Sequence, residues 1–494
     1  TAMVINLRLF LILVIAGVLS LEILGCAPTS KIQKKSVRTV SGIKKNAQRE
    51  RESPRSISSK AYAHYSVGMV YDNEGDTSSA IKEYLKAVQF DPDAASIHYR
   101  LGASYVRLGD LDSAISALKK TIDIDSEFAR ARFLLALIYT SQEKYDEATR
   151  EYEEILKSEP QDLAILTSLA DLYILGQDLE RAIAIYENLV QEKPGSAIIH
   201  FNLGMVYARA ARIDEAVEEL KKAVELEPDY LEAYLAIAVL FEISERFEEA
   251  VVYYKESLRL DPVNPKIYRQ LAQLYFQMDD TDEAIHQYEL LLKFAPEDII
   301  AYIELSYIYV AGFRIDEAIK VLEEALVLEE RTQDIYMALG FCYSEKGDRQ
   351  RAIEEYKKAV EVDPLIAKPH FYLGAMLEEL GERKEAIQRL KKAIEINPDD
   401  PEALNYLGYI YAEEGIDLDE ADRLIHRALE LNPNNGAYID SLGWVYYKKG
   451  MFEEAKEKIE KAQTLIGDDP VIYDHLGDVY FKLEEFDKAE DAWG

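Results

Sequence analysis

The amino-acid sequence predicts an all-α fold made of about 13 helix-turn-helix repeats. Three observations predict it: a period of 34 residues, an alanine at one fixed position of every period, and two apolar stripes with helical spacing in each period. A chain of 494 residues exceeds what one compact hydrophobic core usually organises. A repeat array removes that limit, because each repeat packs only on its neighbours.

The period is visible in a row of small residues that begins at Gly68. The first ten spacings in this row are 34 residues, the next is 35, and the last is 34 again. The extra residue lies within Ile416 to Glu420. The row consists of Gly68, Gly102, Ala136, Ala170, Gly204, Ala238, Ala272, Ser306, Gly340, Gly374, Gly408, Gly443 and Gly477.

We number positions within each repeat from its first residue, so that these small residues occupy position 8. Position 20 is alanine in all thirteen repeats, from Ala80 to Ala489, and position 11 is tyrosine in eleven of them. Positions 4, 7, 8 and 11 have the spacing of one amphipathic helix, and positions 20, 24 and 27 form the stripe of a second. A side chain larger than alanine at position 20 should overpack this interface.

Glycine and proline mark the predicted helix ends. Glycine occupies position 15 in six repeats, including Gly75 and Gly347, where it tolerates the left-handed conformation that ends a helix. Proline occupies position 32 in nine repeats, including Pro92 and Pro262, and closes the second helix. Each repeat is therefore predicted to be one helical hairpin.

Segments such as YMALGFCYSEKGDRQRAIEEYKKAVEVDP, with small residues at positions 8 and 20 and proline at position 32, resemble tetratricopeptide repeats. The resemblance implies a right-handed α-solenoid superhelix whose concave groove is lined by the first helix of each repeat. It also implies that protein or peptide partners bind in this groove. The predicted repeats are 61–94, 95–128, 129–162, 163–196, 197–230, 231–264, 265–298, 299–332, 333–366, 367–400, 401–435, 436–469 and 470–494, the last of which stops before its second helix is complete.

The charge of the chain disfavours nucleic acid as a partner. Its 91 acidic and 57 basic side chains give a net charge of −34, which repels a phosphate backbone. The charge is uneven, because residues 27–60 carry ten basic and two acidic residues. This Ser- and Lys-rich stretch is predicted to be a flexible tether whose cations are attracted to an anionic membrane or simply face water.

The N-terminus is predicted to be a targeting segment, residues 1–26. The apolar run Leu9–Leu19 suits the core of a secretory signal better than a membrane span, which needs about 20 apolar residues. It is followed by Ile23-Leu24-Gly25-Cys26, which resembles the lipobox of bacterial lipoproteins. The resemblance implies that Cys26 is acylated and anchors the chain to a membrane, facing the periplasm. An uncleaved anchor and a plain core segment remain the alternatives.

The candidate partner-binding residues lie on one side of the first helices, at or next to positions 2, 5, 9, 12 and 13. This side is opposite the apolar stripe at positions 4, 7, 8 and 11. We name this side, positions 2, 5, 9, 12 and 13, the A-face. A solvated face without a role should be polar, yet this one is rich in aromatic residues. The candidate residues are Tyr65, Tyr99, Arg100, Arg107, Phe133, Phe201, Met205, Arg209, Arg269, Phe276, Tyr307, Met337, Phe341, Phe371, Tyr409, Trp444 and Tyr447. The alternative is that individual rings only pack between neighbouring helices.

Nothing in the sequence indicates catalysis, a cofactor, a metal site or a small-molecule substrate. Walker, dinucleotide-binding, HExxH and GxSxG motifs are absent from it. Three histidines, His98, His200 and His370, occupy position 4, where other repeats have tyrosine, so we expect them to pack between helices. Cys342 is expected to be a buried thiol.

The sequence therefore predicts a non-enzymatic scaffold at the bacterial cell envelope that takes part in assembly or secretion. Two other functions remain open at this point. One is the recognition arm of an enzyme, such as a glycosyltransferase, whose catalytic domain would follow Gly494. The other is a structural protein whose last repeat stacks on another copy.

Overall fold

The computed structural model of the chain describes residues 59–328 and 332–494. This part of the chain contains 26 α-helices and no β-strand, which confirms the all-α prediction. The predicted signal peptide, Cys26 and all of the predicted tether before Ser59 lie outside the described residues. Within them, no helix combines the length and the hydropathy needed to cross a bilayer.

The described residues divide after Leu260 into two compact units, which we call the N-terminal and the C-terminal unit. The N-terminal unit contains α1 (Ser59–Glu74), α2 (Thr77–Phe90), α3 (Ala95–Leu108), α4 (Leu111–Ile124), α5 (Ala129–Ser141), α6 (Tyr145–Ser158), α7 (Leu163–Leu175), α8 (Leu179–Glu192), α9 (Ala197–Arg209), α10 (Ile213–Leu226), α11 (Leu231–Ile243) and α12 (Phe247–Leu260). Within this unit each helix packs on the next one along the chain.

The C-terminal unit has the same order of helical hairpins. It contains α13 (Pro265–Gln277), α14 (Thr281–Phe294), α15 (Ile299–Ala311), α16 (Ile315–Leu328), α17 (Gln333–Glu345), α18 (Arg349–Val362), α19 (Ala367–Glu379), α20 (Arg383–Ile396), α21 (Pro401–Glu414), α22 (Leu418–Leu431), α23 (Gly436–Lys448), α24 (Phe452–Ile466), α25 (Pro470–Lys482) and α26 (Phe486–Trp493). Odd-numbered helices are the first helices of the repeats, and even-numbered helices are the second.

The turn inside each hairpin has the same left-handed conformation at position 15 in all thirteen repeats. Position 15 has a positive φ whether it is glycine, as at Gly347, or another residue, as at Glu143 and Phe313. The next backbone N–H donates to the carbonyl of position 11, for example from Lys144 to Tyr139 over 2.9 Å, which closes the end of the first helix. In five repeats an aspartate at position 16 then caps the second helix through its side chain.

The two helices of a hairpin approach closely where position 8 meets position 24. A Cβ atom added to Gly340 would lie 2.5 Å from Cε1 of Tyr356, and one added to Gly102 would lie 2.8 Å from Cγ of Leu118. The alanine at position 20 is at most 1% exposed in every repeat. The small residues of the sequence pattern are therefore explained by the space between paired helices.

Hydrogen bonds between neighbouring repeats fix how the hairpins stack. The hydroxyl of Tyr207, at position 11, donates to Glu187 of the preceding repeat over 2.7 Å, and Tyr309 donates to Glu289 over 3.0 Å. Where lysine replaces this glutamate, its ammonium lies over the ring instead, as Lys391 does 5.7 Å from the centroid of Tyr411. The recurring tyrosine therefore links repeats through its ring and its hydroxyl.

Candidate functional site

The A-face changes from half-buried to exposed across its width. Positions 12, 5 and 9 are half-buried in most repeats, because they lie next to the side of the helix that packs. Positions 2 and 13 are exposed in most repeats. In both units the first helices therefore present a band of partly accessible side chains along the order of the repeats.

Most of the predicted partner-binding residues lie in the half-buried part of this band. The half-buried aromatic and methionine side chains are Tyr65, Tyr99, Phe133, Phe201, Met205, Phe276, Tyr307, Met337, Phe341, Phe371, Tyr409 and Tyr447. Of the predicted arginines, Arg100, Arg107 and Arg209 are exposed. The band thus keeps aromatic surface in contact with water in both units, which is what partner binding requires.

Several of these rings are held by neighbouring rings. Phe201 packs on Tyr230 with centroids 4.9 Å apart, and Tyr307 packs on Phe341 of the next repeat at 5.7 Å. Such tilted pairs add to the stability of the array and restrict the rotamers of its rings. A partner would therefore meet side chains that are already ordered, which lowers the entropic cost of binding.

Trp444 differs from the prediction because it is only 6% exposed. Its indole ring lies between the ring of His475, with centroids 4.0 Å apart, and that of Tyr447, at 4.6 Å. Its Nε1–H donates to Glu413 over 2.7 Å. Trp444 is therefore a packing residue that a partner cannot reach. The neighbouring ring of Tyr447 is half-buried and remains partly accessible.

Two of the predicted arginines take part in contacts between repeats. The guanidinium of Arg269 donates to Glu304 and to Asp298 over 2.7 Å each, and it is half-buried. Arg107 donates to Asp72 of the preceding repeat, whose carboxylate also accepts from the hydroxyl of Tyr84 over 2.7 Å. These arginines join repeats, so they are less available to a partner than the sequence suggested.

The structure also adds aliphatic residues to the A-face that the aromatic pattern did not reveal. Leu175, Ile198, Ile243 and Ile300 occupy positions 2 or 13 and are 52 to 66% exposed. Their positions in the repeat could have identified them, since they belong to the same side of the helix as the aromatic residues. More than half of each of these side chains is accessible to a partner.

The position-4 histidines contact the backbone of the linker that precedes them. Nε2 of His98 lies 2.9 Å from the carbonyl oxygen of Pro92, and His200 and His370 make the same contact with Pro194 and Pro364. A carbonyl only accepts, so Nε2 carries the proton in this contact. Tyr268 donates to the carbonyl of Pro262 in the same way. Position 4 therefore fixes the linker between repeats.

Cys342 is fully buried, and burial raises the pKa of its thiol to about 12. It is therefore protonated near neutral pH, which makes it a poor nucleophile. Among the described residues, no group of three or more His, Cys, Asp or Glu side chains is placed to hold a metal ion. The A-face is thus the candidate functional site.

Sequence profiles of known families match most of the described chain. Tetratricopeptide-repeat profiles match residues 68–109, 106–172, 173–240 and 231–264. The profile of the cilia and flagella-associated protein 70 C-terminal domain matches residues 261–469. A search of curated protein sequences found no match.

Solved structures with a similar fold include the complex of Naa15/Naa10 bound to HypK-THB, at 18% identity, 88% coverage of this chain, 68% of that chain and a TM-score of 0.42. The APC/C hetero-tetramer Cut9–Hcn1 is 15% identical, with 88% of this chain and 94% of that chain covered and a TM-score of 0.38. Pseudomonas aeruginosa pilF is 22% identical, with 39% and 88% covered and a TM-score of 0.35. Tetratricopeptide-repeat families are thus recognised in this chain, and its described residues form an all-α solenoid.

Proposed function

We propose that the chain is a non-catalytic scaffold that binds partner proteins or peptides along the A-face. The observation that carries this proposal is the band of half-buried rings bordered by exposed aliphatic side chains such as Ile198 and Ile243. Exposed apolar surface that continues over many repeats usually marks an interaction site. A partner segment lying along the band would bury these side chains and gain about 25 cal/mol per Å² of apolar area.

Replacing Leu175, Ile198 and Ile243 together with serine is expected to reduce partner capture about tenfold or more, because each residue would lose its apolar contact. More than half of each side chain is exposed, so the fold should tolerate the change. The measurement is a pull-down from membranes of the source cells, with captured proteins quantified by mass spectrometry.

The matched control replaces three exposed aliphatic residues of the second helices, Leu85, Val252 and Val327, with serine. This control should capture the same proteins in the same amounts as the unchanged chain. If both triple variants lose capture equally, partners recognise general surface hydrophobicity and not the A-face.

We further propose that Cys26 is acylated and that the scaffold is attached to a membrane of the bacterial cell envelope, facing the periplasm. The support is in the sequence: the apolar run Leu9–Leu19, the small residue Gly25 before Cys26, and the basic stretch that follows. This location would place the A-face where it could serve the assembly or secretion of other proteins.

Replacing Cys26 with alanine is expected to release the chain from membranes into the soluble fraction, since one lipidated residue would provide the anchor. The measurement is fractionation followed by a high-salt wash, which also removes binding that depends on the basic stretch. A variant that stays with the membrane after the wash would exclude anchoring through Cys26.

A further inference from the structure

The A-face of repeats 10–13, in the C-terminal unit, differs in charge from that of repeats 2–5. Its acidic side chains are Glu378, Glu379, Glu402, Glu413, Asp440, Asp474 and Asp478, and its basic side chains are Lys368, Lys448 and Lys482. The same positions of repeats 2–5 carry Arg107, Arg130 and Arg209 against one carboxylate, Asp171. We call the A-face of repeats 10–13 the acidic A-face.

Aromatic residues fix two of these carboxylates in place. Glu413 accepts a hydrogen bond from Nε1 of Trp444 over 2.7 Å, and Asp440 accepts from Nδ1 of His475 at 3.0 and 3.1 Å. The rings of Trp444 and His475 stack on each other, which joins α23 to α25. The acidic A-face is therefore a built arrangement of rings and carboxylates, and not a set of independent surface charges.

The carboxylates converge on half-buried tyrosine rings. Burial raises the pKa of Tyr409 to about 12, with contributions from Glu413, Asp440 and Glu378, which come from three successive first helices. Tyr409 and Tyr447 keep part of their rings accessible. An aromatic ring beside carboxylates attracts a cation through both its quadrupole and their charge.

Two of these carboxylates would gain from a bound cation. Burial raises the pKa of Asp478, with a further increase from Asp474 that His475, Lys448 and Lys482 partly offset. Burial also raises the pKa of Glu402, with a further increase from Asp400 that Lys368 partly offsets. Their ionised forms are therefore less stable than in water. A cation brought close to them would offset part of this cost.

We propose that the acidic A-face binds a basic peptide segment of a partner protein, with arginine or lysine side chains over Tyr409 and Tyr447 and beside Glu378, Glu413 and Asp478. The inference rests on the proposed scaffold function and names the class of partner that the C-terminal unit takes. An acidic peptide or a nucleic-acid backbone would be repelled by the same charges. An arginine-rich segment fits best, because its planar guanidinium can stack on a ring while donating to a carboxylate.

The test is fluorescence anisotropy with a short labelled peptide of alternating arginine and serine, and with its counterpart in which glutamate replaces arginine. The site variant combines Glu378→Gln, Glu413→Gln and Asp478→Asn. After Glu413→Gln, the new amide oxygen would still accept the bond from Trp444, so the aromatic cluster should remain intact. We expect the site variant to bind the basic peptide about tenfold more weakly and the acidic peptide to remain unbound.

The control variant, Asp282→Asn, Asp316→Asn and Glu457→Gln, removes the same number of charges from exposed side chains of second helices in the same unit. It should bind the basic peptide within about twofold of the unchanged chain, because exposed charges at a distance are screened by salt. Equal weakening in both variants would overturn the proposal and leave only a general attraction to an acidic protein.

A second comparison distinguishes failure of the basic-peptide proposal from failure of the scaffold function. The serine variant of Leu175, Ile198 and Ile243, which lies in the N-terminal unit, should bind the basic peptide like the unchanged chain. If that variant loses partner capture while the site variant leaves peptide binding unchanged, the scaffold function stands and the basic-peptide proposal is wrong. If the serine variant keeps its partner capture and the site variant keeps its peptide binding, both proposals are wrong.

Discussion

Replacing Gly340 with valine is expected to destabilise the C-terminal unit by about 1–3 kcal/mol, the usual range for overpacking a core. Even one added carbon at this position would lie 2.5 Å from the ring of Tyr356, which is 2% exposed and cannot turn into solvent. Because repeats are stabilised by their neighbours, the loss should spread to adjacent hairpins. Urea denaturation followed by circular dichroism measures it as a lower midpoint.

The matched control is Gly195→Val. An added Cβ at Gly195 would meet no heavy atom within 4 Å, so the midpoint should stay close to that of the unchanged chain. A second variant, Tyr356→Ala in the Gly340→Val background, makes room for the new side chain. The two changes together should cost less than the sum of their separate costs. Simple additivity would contradict the proposed contact between positions 8 and 24.

Replacing Asp440 with alanine is expected to cost about 1–3 kcal/mol, the range for leaving a buried hydrogen-bonding group without its partner. Asp440 and His475 are both buried, and Nδ1 of the imidazole lies within hydrogen-bond distance of both carboxylate oxygens. Without Asp440, that nitrogen would be left in the core between α23 and α25 without its partner. Thermal and urea denaturation of the full chain measure the loss.

Two further variants show whether the pair itself is responsible. Asp474→Ala changes an exposed carboxylate of α25 and should be nearly neutral. Replacing both Asp440 and His475 with leucine removes the pair without leaving an unpaired member, and it should cost less than Asp440→Ala alone. If the double leucine variant is less stable than Asp440→Ala, the pair must stabilise the stacked hairpins beyond the hydrogen bonds that its two members supply to each other.

The repeat architecture followed from the sequence because its causes are local and recur. Three residue types recur because each makes a contact that recurs along the array. They are the small residue at position 8, the alanine at position 20 and the tyrosine at position 11. The sequence predicts a helical hairpin in every repeat, although glycine marks the turn at position 15 in only six of them. Glu143, Phe313 and five other non-glycine residues adopt the same positive φ, because the N–H to carbonyl bond after the first helix is formed in those repeats as well.

The candidate site was less predictable, because burial on the A-face depends on the next repeat. A helical wheel places Trp444 among exposed residues, but His475 of the following repeat covers its ring. Arg269 has an A-face position too, and the carboxylates of Glu304 and Asp298 hold it. Conversely, an aromatic pattern does not mark Ile243, although its side chain is exposed on the same face. The periodic pattern identifies the face, and contacts between repeats decide which of its residues a partner can reach.

The central claim is that partners bind to the A-face of the first helices. Site-specific photo-cross-linking tests it most directly, with a benzophenone amino acid placed at Ile198 or Ala437 on the A-face and, separately, at Val252 or Val327 on second helices; all four positions are exposed. The account predicts cross-linked partner proteins from the first two positions and none above background from the other two. Adducts that form equally from both pairs, or from the second helices alone, would contradict it.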